Sequence, residues 1–299
     1  MYRESSRFLV ISRVGPQSLH HEWCSSATER GFDVLLSAYD SAVADPCEPG
    51  IIFEYRPGTK VAGYGDVMRA HADLISRYDY VALFDDDLLV SAHDMQRLFD
   101  VVAQHQLKIA QPALSHDSYF TFAALLKNPA FRLRYVNYIE MMCPVFRADV
   151  LAAIRPLYDL GFESGIDLIW CNLVATSLQD FAVIDDITVR HTRPVGESKS
   201  ANGFISGRRY EDDIHALLAK FDVPWLSCVP YAGIRRDGRV TRRRSAFFWS
   251  SLALVFAIGQ RGGVRMRLRS VAVYWKHLLS RPARNIPVSW PVSWGQITS

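Results

Sequence analysis

The sequence predicts an α/β fold in which a mainly parallel sheet is flanked by helices. Short, continuous apolar runs alternate with stretches of helical periodicity along the first 110 residues, and buried parallel strands have this continuous apolar character. The 299 residues are 49% hydrophobic and 22% charged, a balance typical of a globular chain with a large core. In such sheets ligands bind at the carboxyl ends of the strands, so the residues after each strand are the first candidates for a site.

Five strands and three helices are predicted in this first part. The strands end at turn-forming residues, such as Gly15-Pro16 after the first and Pro57-Gly58 after the third. They cover residues 7–12, 32–39, 51–56, 80–84 and 109–114. The helices repeat apolar residues at three- and four-residue spacings. They cover residues 18–30, 66–78 and 94–104.

The second part of the chain is less regular. A strand with a kink at Pro144 is predicted over residues 135–146, and helices are predicted over 148–158 and 168–178. An apolar strand follows at 181–191, and the Gly-, Ser- and Arg-rich stretch 192–209 is expected to form a mobile loop that closes over a bound diphosphate.

Three adjacent carboxylates, Asp85, Asp86 and Asp87, follow the fourth strand. Like charges repel, and Mg²⁺ or Mn²⁺, which takes oxygen ligands, is the usual compensator. Alternate residues of an extended segment point to the same side, so Asp85 and Asp87 are expected to share a side with Asp86 opposite. The alternatives are a solvated turn and the start of a helix, where acids are favoured.

The segment FDDDL resembles the Asp-x-Asp motif of nucleotide-sugar-dependent glycosyltransferases of the GT-A fold. The segment KVAGYGD at 60–66 is similar to the basic, glycine-containing turn of that family, ESGID at 163–167 resembles its acidic segment, and VRH at 189–191 resembles its late histidine-bearing strand. The resemblance covers residues 7–196. AQPALS and VRHTRPVG are similar to a little-characterised bacterial and plant branch. The implied fold is a GT-A-like, Rossmann-type mixed sheet.

The resemblance implies a metal site and a donor site. Asp87 and His191 would bind Mn²⁺ or Mg²⁺, and Asp85 would bind the metal, directly or through water, or the ribose. Asp86 would contact the donor sugar, and Lys60 would hold the pyrophosphate. For His191 a surface position at a strand end stays open, and for Lys60 a solvated side chain does.

The nucleotide and the acceptor are assigned further residues by the resemblance. Arg13 and Gly15 would lie along the nucleotide, with a UDP-sugar as the expected donor, and Asp40 would accept the imide N–H of the base. For these residues an ordinary turn is the alternative. Asp167 would be the catalytic base, with Glu163 as the substitute. A helix N-cap is the alternative for Asp167.

The charge distribution predicts a separate C-terminal part. Between residues 235 and 284 lie 13 of the 34 Lys and Arg and only one acid, Asp237. Arginines beside aromatic and aliphatic residues are typical of an interfacial helix, so residues 242–281 are expected to bind an anionic membrane surface. The alternatives are a core helix with a basic face and, less favoured, nucleic-acid binding, and no nucleic-acid partner is predicted.

The predicted domains are a catalytic part, residues 1–210, and a helical, basic, amphipathic extension, residues 211–299. The catalytic part divides into a nucleotide-sugar half, about 1–115, and an acceptor half, about 116–210. The N-terminal residues do not resemble a signal peptide, and no apolar run is long enough to span a bilayer. The five scattered cysteines indicate a reducing compartment and no structural zinc. The expected location is the cytoplasmic face of the inner membrane.

The expected function is transfer of a sugar from a nucleotide sugar to a glycan or lipid-linked acceptor in bacterial surface polysaccharide synthesis, with inversion. Two other classes stay open. One is a nucleotidyltransferase or phosphohydrolase, in which Asp185 and Asp186 would bind a second metal. The other is a membrane-associated scaffold without catalytic activity.

Overall fold

The computed structural model describes residues 6–24, 30–194, 210–225, 227–257 and 263–280, together with Pro287, Val292, Ser293 and Gly295. The strands are β1 (Phe8–Val14), β2 (Asp33–Ala38), β3 (Ile51–Tyr55), β4 (Tyr80–Phe84), β5 (Leu88–Leu89), β6 (Ile109–Leu114), β7 (Phe131–Val136), β8 (Val145–Arg147), β9 (Phe181–His191), β10 (Pro230–Arg235) and β11 (Val240–Thr241). Side chains of β1, β4 and β6 are buried along their whole length, as the continuous apolar runs predict.

The helices pack around these strands. They are α1 (His21–Cys24), α2 (Lys60–Ala70), α3 (Ala72–Ile75), α4 (Ala92–Gln104), α5 (Ala148–Ile154), α6 (Asp167–Val174), α7 (Tyr210–Lys220), α8 (Arg244–Ser251), α9 (Leu254–Ala257) and α10 (Gly263–Ser280). Two short 3₁₀ helices cover Ala123–Leu125 and Arg155–Asp159. The α-helix predicted over residues 148–158 ends at Ile154, and its last part is the 3₁₀ helix that contains Pro156.

The main sheet has the strand order β11-β10-β7-β9-β6-β8-β4-β1-β2-β3. Strands β3, β2, β1 and β4 are parallel to one another, and β6 is parallel to β9. Strand β8 runs antiparallel between β4 and β6, and β7 and β10 add an antiparallel edge. The predicted fold class, a mixed and largely parallel sheet flanked by helices, is confirmed.

Helix α2 begins six residues before its predicted start. Thr59 precedes it, and Lys60 is its first residue, so Lys60 lies on the helix rather than in a turn. Gly63 and Gly65 suggest a turn in the sequence, but both lie inside the helix. Glycine stands at these positions because side chains from other parts of the chain approach the helix closely there. A Cβ at Gly63 would lie 2.5 Å from Cζ of Arg13, and one at Gly65 would lie 3.1 Å from Cβ of Tyr158.

The strand predicted over residues 135–146 is wrong. The chain leaves the sheet after β7 and returns only at β8. The reason lies at Asn137, whose side chain donates to the Ser227 carbonyl at 3.0 Å and accepts from the Val229 N–H at 2.7 Å. These bonds hold the chain against residues 227–229 instead of against a neighbouring strand.

The part of the chain after residue 210 contains strands as well as helices. Strand β10 pairs with β7 and so extends the main sheet, which the predicted all-helical extension did not foresee; the domain division at residue 210 stays a prediction. Among the residues that the structure describes, no helix combines the length and the apolar character needed to cross a membrane. Most of the predicted mobile loop at 192–209, and the end of the helix predicted over 18–30, lie outside the described residues.

Candidate functional site

The acidic segment leaves β4 at the carboxyl edge of the parallel strands. The Asp85 N–H donates to the Met142 carbonyl at 3.0 Å, which ties the segment to the chain ahead of β8. Strand β5 then pairs antiparallel with the end of β9, with Leu88 opposite His191. This pairing brings together residues that are more than a hundred positions apart in the sequence.

Asp87 and His191 form a buried pair. His191 Nε2 lies 3.1 Å from Asp87 Oδ2, and His191 Nδ1 lies 3.0 Å from the Tyr119 carbonyl. A carbonyl can only accept, so Nδ1 carries a proton. Burial alone would raise the pKa of Asp87 and lower that of His191. The hydrogen bond and the opposite charges of the pair outweigh burial, and the Asp87 pKa is lowered while the His191 pKa is raised.

The other carboxylate oxygen of Asp87, Oδ1, needs a partner. Asp87 Oδ1 is buried and has no hydrogen-bond partner among the described residues. A buried carboxylate oxygen without a donor is costly, and a cation would satisfy it. The Nδ1 bond to a carbonyl is also the arrangement that orients a metal-binding histidine with Nε2 toward the metal.

Asp85 pairs with Lys60. The Lys60 Nζ lies 2.6 Å from Asp85 Oδ2, and about a quarter of each side chain is exposed. Burial raises the pKa of Asp85 to about 6 although Lys60 opposes the shift. Burial would lower the pKa of Lys60, but the charge and the hydrogen bond of Asp85, with smaller contributions from Asp87 and Asp167, together raise it. Lys60 therefore stays cationic at the centre of the acidic group.

Asp86 binds to a different set of groups. Its Oδ2 accepts the Gly15 N–H at 3.0 Å and the Tyr39 hydroxyl at 3.1 Å, and its Oδ1 lies 3.4 Å from Arg193 Nη1. A Cβ at Gly15 would lie 2.1 Å from the Tyr39 hydroxyl oxygen, so a larger residue here would displace the Tyr39 side chain from Asp86. The bonds of Asp86 tie together the loops after β1, β2 and β9, and its predicted contact with the donor sugar stays a prediction.

Arg13 and Asp40 have local partners. The Arg13 guanidinium is buried and donates to Ser37 Oγ and to the carbonyls of Arg56 and Gly58, at 2.9, 2.7 and 3.1 Å. These bonds fix the approach to α2. Asp40 Oδ1 accepts the Ala42 N–H at 2.8 Å in an exposed turn. The nucleotide contacts of both residues stay predictions.

The two predicted catalytic bases, Asp167 and Glu163, lie at the start of α6 and four residues before it. Asp167 is the first residue of α6 and Ile166 is its N-cap, so the N-cap alternative is wrong. Asp167 Oδ2 accepts the Tyr138 hydroxyl at 2.5 Å and the Met141 N–H at 3.2 Å. Glu163 Oε1 accepts the Thr59 hydroxyl at 2.7 Å, which links this acid to the start of α2.

Sequence reasoning missed Glu140. This acid is 6% exposed, and its electrostatic neighbours include Asp167, His191 and Lys60. The signal was present, because Glu140 is the single charged residue in the otherwise apolar or neutral stretch YVNYIEMMCPVF. A charged side chain in such a stretch is rarely buried unless it is paired or hydrogen-bonded, so its presence indicates a specific structural or functional role.

The residues at the carboxyl edge fit a divalent cation of the Mg²⁺ or Mn²⁺ type. In the described part of the chain no three His, Cys, Asp or Glu side chains converge as a closed metal site. Mg²⁺ sites commonly use one or two protein carboxylates and take the remaining ligands from phosphates and water. The free Asp87 oxygen and the oriented His191 suit such an open site, and Lys60 suits a phosphate.

Comparison with known proteins gives limited matches. Residues 67–133 match a family model described as a protein of unknown function (DUF707), which is less than half of the chain. A search of curated proteins finds no match. Among solved structures, S. aureus TarS 1-349 is 9% identical with a TM-score of 0.43, and it covers 91% of this chain and 90% of its own.

A second solved structure is a protein from Desulfovibrio desulfuricans G20, provisionally described as a nucleotide-diphospho-sugar transferase. It is 13% identical, with a TM-score of 0.30, over 52% of this chain and 68% of its own. At TM-scores this low, neither structure carries an argument about this chain. The functional argument therefore rests on the site.

Proposed function

We propose that the protein is a metal-dependent glycosyltransferase that moves a sugar from a nucleotide sugar to a glycan or lipid-linked acceptor with inversion. One observation carries the proposal: the buried Asp87–His191 pair, with a free Asp87 oxygen, lies beside Lys60 and Asp85 at the carboxyl edge of the parallel strands. This edge is where α/β sheets bind nucleotides. A UDP-sugar is the donor that the resemblance favours.

The charges of the site suit a leaving nucleoside diphosphate. Negative charge develops on the diphosphate as the bond to the sugar breaks, and fixed positive groups stabilise it. Lys60 supplies one such group and is held in place by Asp85. A bound Mn²⁺ or Mg²⁺ would be held by Asp87 and His191 and would act as a Lewis acid toward the phosphates. The pair Lys60–Asp85 keeps that acidic edge from being uniformly negative before the donor arrives.

The structure counts against the nucleotidyltransferase or phosphohydrolase alternative. Asp185 is fully buried and accepts two bonds from Arg134, at 2.7 and 2.9 Å. Asp186 pairs with Arg132 and Arg236. Both acids of the postulated second metal site are thus already neutralised by arginines. A scaffold without catalytic activity would release no nucleotide from a nucleotide sugar, so an activity assay distinguishes it from the proposed enzyme.

Incubation with Mn²⁺ and a panel of UDP-sugars tests the proposal. We expect slow release of nucleoside diphosphate with water as acceptor, and no release when EDTA removes the metal. Chromatography of the nucleotide products provides the measurement. Release of nucleoside monophosphate or pyrophosphate instead would support a phosphohydrolase, and an absence of both release and nucleotide binding would support the scaffold.

We also propose that the C-terminal helices bind an anionic membrane surface at the cytoplasmic face of the membrane, where lipid-linked acceptors lie. Helix α10 has a buried stripe made of Val271, Tyr274 and Leu278. A second apolar stripe is exposed; its members are Val264, Leu268, Ala272 and Leu279. Basic residues border that exposed stripe; they are Arg265, Arg269 and Lys276. Exposed apolar residues beside basic residues on one helix are typical of interfacial binding.

Vesicle sedimentation tests the membrane proposal. The full chain should bind vesicles containing phosphatidylserine, bind neutral phosphatidylcholine vesicles less, and dissociate in high salt. Leu268→Asp should weaken binding at least about tenfold, because burying a leucine side chain is worth about 1.5–3 kcal/mol. Val240→Asp is the matched control, since Val240 is an exposed apolar residue of β11, outside the stripe. Equal loss in both variants, or equal binding to both kinds of vesicle, would contradict the proposal.

A further inference from the structure

Glu140 is held in a fixed position with one oxygen free. Its Oε1 accepts the Thr121 hydroxyl at 2.6 Å, and its N–H donates to Gln111 Oε1 at 2.7 Å. Its Oε2 is buried and has no hydrogen-bond partner among the described residues. Leaving a buried carboxylate oxygen unpaired costs free energy, so a side chain fixed in this way suggests a ligand.

Glu140 lies at the site described above. Two residues later, the Met142 carbonyl accepts the Asp85 N–H, and one residue later, the Met141 N–H donates to Asp167. The segment 140–142 therefore bridges the acidic segment after β4 and the start of α6. A ligand bound between these two elements would contact this segment.

The two carboxyl groups of this region are in different environments. Asp167 Oδ2 already accepts two hydrogen bonds, from Tyr138 and Met141. Glu140 accepts one bond, on Oε1 alone. When environments differ in this way between neighbouring acids, the two groups take different roles in proton transfer.

We propose that Glu140 is the catalytic base and that Asp167 is a positioning residue, which holds the segment around Glu140 through its bonds to Tyr138 and Met141. This assignment rests on the proposed function. In the step, Glu140 Oε2 takes the proton of the acceptor hydroxyl, and the oxygen forms a bond to the anomeric carbon. The bond from that carbon to the phosphate oxygen breaks, and its electron pair leaves with the nucleoside diphosphate. Glu140 then releases the proton to water.

The acidity of Glu140 agrees with this role. Burial raises the pKa of Glu140 to about 7; the Thr121 hydrogen bond opposes the shift, Asp167 adds to it, and His191 and Lys60 oppose it. A base whose pKa lies near the working pH combines a useful ionised fraction with a useful driving force. The rate should therefore rise with pH through about 7, where Glu140 loses its proton.

Hydrolysis of UDP-sugars with Mn²⁺, with water as acceptor, provides the test. Glu140→Gln should lower kcat/KM at least about 100-fold and abolish the rise with pH. Asp167→Asn should reduce activity less and move the rise to lower pH, because it removes a negative charge that raises the pKa of Glu140. Both variants should bind UDP with Mn²⁺ as the wild type does. Asp149→Asn, on the exposed side of α5, is the matched control and should change neither activity nor the pH profile.

The opposite pattern would overturn the assignment: loss of activity and of the pH dependence in Asp167→Asn, with activity retained in Glu140→Gln. If the wild-type protein binds no nucleotide and hydrolyses no donor, the proposed function itself fails. In that case the pKa of Glu140 is measured by NMR in ¹³C-labelled protein, with the carboxyl resonance assigned by comparison with Glu140→Gln. This pKa tests the predicted electrostatic coupling of Glu140 to Asp167. A Glu140 pKa near 7 that falls in Asp167→Asn supports the coupling, and a pKa at the ordinary glutamate value refutes it.

Discussion

Asp87→Asn should bind Mn²⁺ and UDP at least about 100-fold more weakly than the wild type, since outer partners of metal ligands alone are worth about 10–100-fold. The substitution keeps the size of the side chain and a hydrogen bond to His191, but it removes the charge from the buried oxygen that has no donor in the described part of the chain. In the proposed function UDP would share the metal, so the loss should appear in nucleotide binding measured with Mn²⁺ and vanish without Mn²⁺. Isothermal titration calorimetry measures both.

Asp94→Asn is the matched control for this prediction. Asp94 lies in the first turn of α4 and pairs with Arg97 at the surface, a few residues along the chain from the site. Its substitution should leave metal and nucleotide binding unchanged. If Asp87→Asn bound Mn²⁺ and UDP like this control, the metal would lie elsewhere and the central proposal would be wrong.

Asp185→Asn should lower the free energy of unfolding by about 3–5 kcal/mol, the range for breaking a buried ion pair and leaving one charge uncompensated. Asp185 is fully buried, and Arg134, at 2% side-chain exposure, would keep its charge. The arginine would keep its bonds to the Ala124 and Leu126 carbonyls, and the new amide oxygen could accept one of the two bonds to residue 185, but the amide NH2 group would face the other Arg134 N–H. Urea unfolding followed by circular dichroism measures the loss.

Asp186→Asn provides the comparison one residue away. Its partners Arg132 and Arg236 are about half exposed, and such surface pairs are worth about 0–1 kcal/mol. A large difference between the two variants in stability, with no change in Mn²⁺ affinity in either, would support a structural role for both acids. A fall in Mn²⁺ affinity in either variant would instead revive the two-metal alternative.

Local patterns predicted much of the sheet. The strand at 109–114 and the strand at 181–191 have the predicted bounds, although Asp185 and Asp186 interrupt the apolar run of the second. The start of α2 was missed because Gly63 and Gly65 look like turn residues. Their small size is required by Arg13 and Tyr158, which lie far away in the sequence.

The site is harder to predict because its parts meet only in three dimensions. The order of the acidic, basic and histidine segments identifies Asp87, Lys60 and His191 as candidates, but the 3.1 Å contact of Asp87 with His191 depends on the pairing of β5 with β9. Glu140 belongs to a stretch whose apolar character predicts a strand. The chain is instead held outside the sheet by the bonds of Asn137 with residues 227 and 229, and Glu140 itself is held by Thr121 and Gln111. No local pattern encodes these contacts.

The strand order has a consequence for how the protein assembles. Strand β6, from the predicted nucleotide half, lies between β9 and β8 of the acceptor half. Neither half can complete its part of the sheet before the other is present, and Asp87 meets His191 only when a loop of 104 residues has closed. Contacts between residues so far apart in the sequence slow folding. The contact of Asp87 with His191 therefore needs both halves of the chain, and fragments cut near residue 115 would each lack a complete sheet.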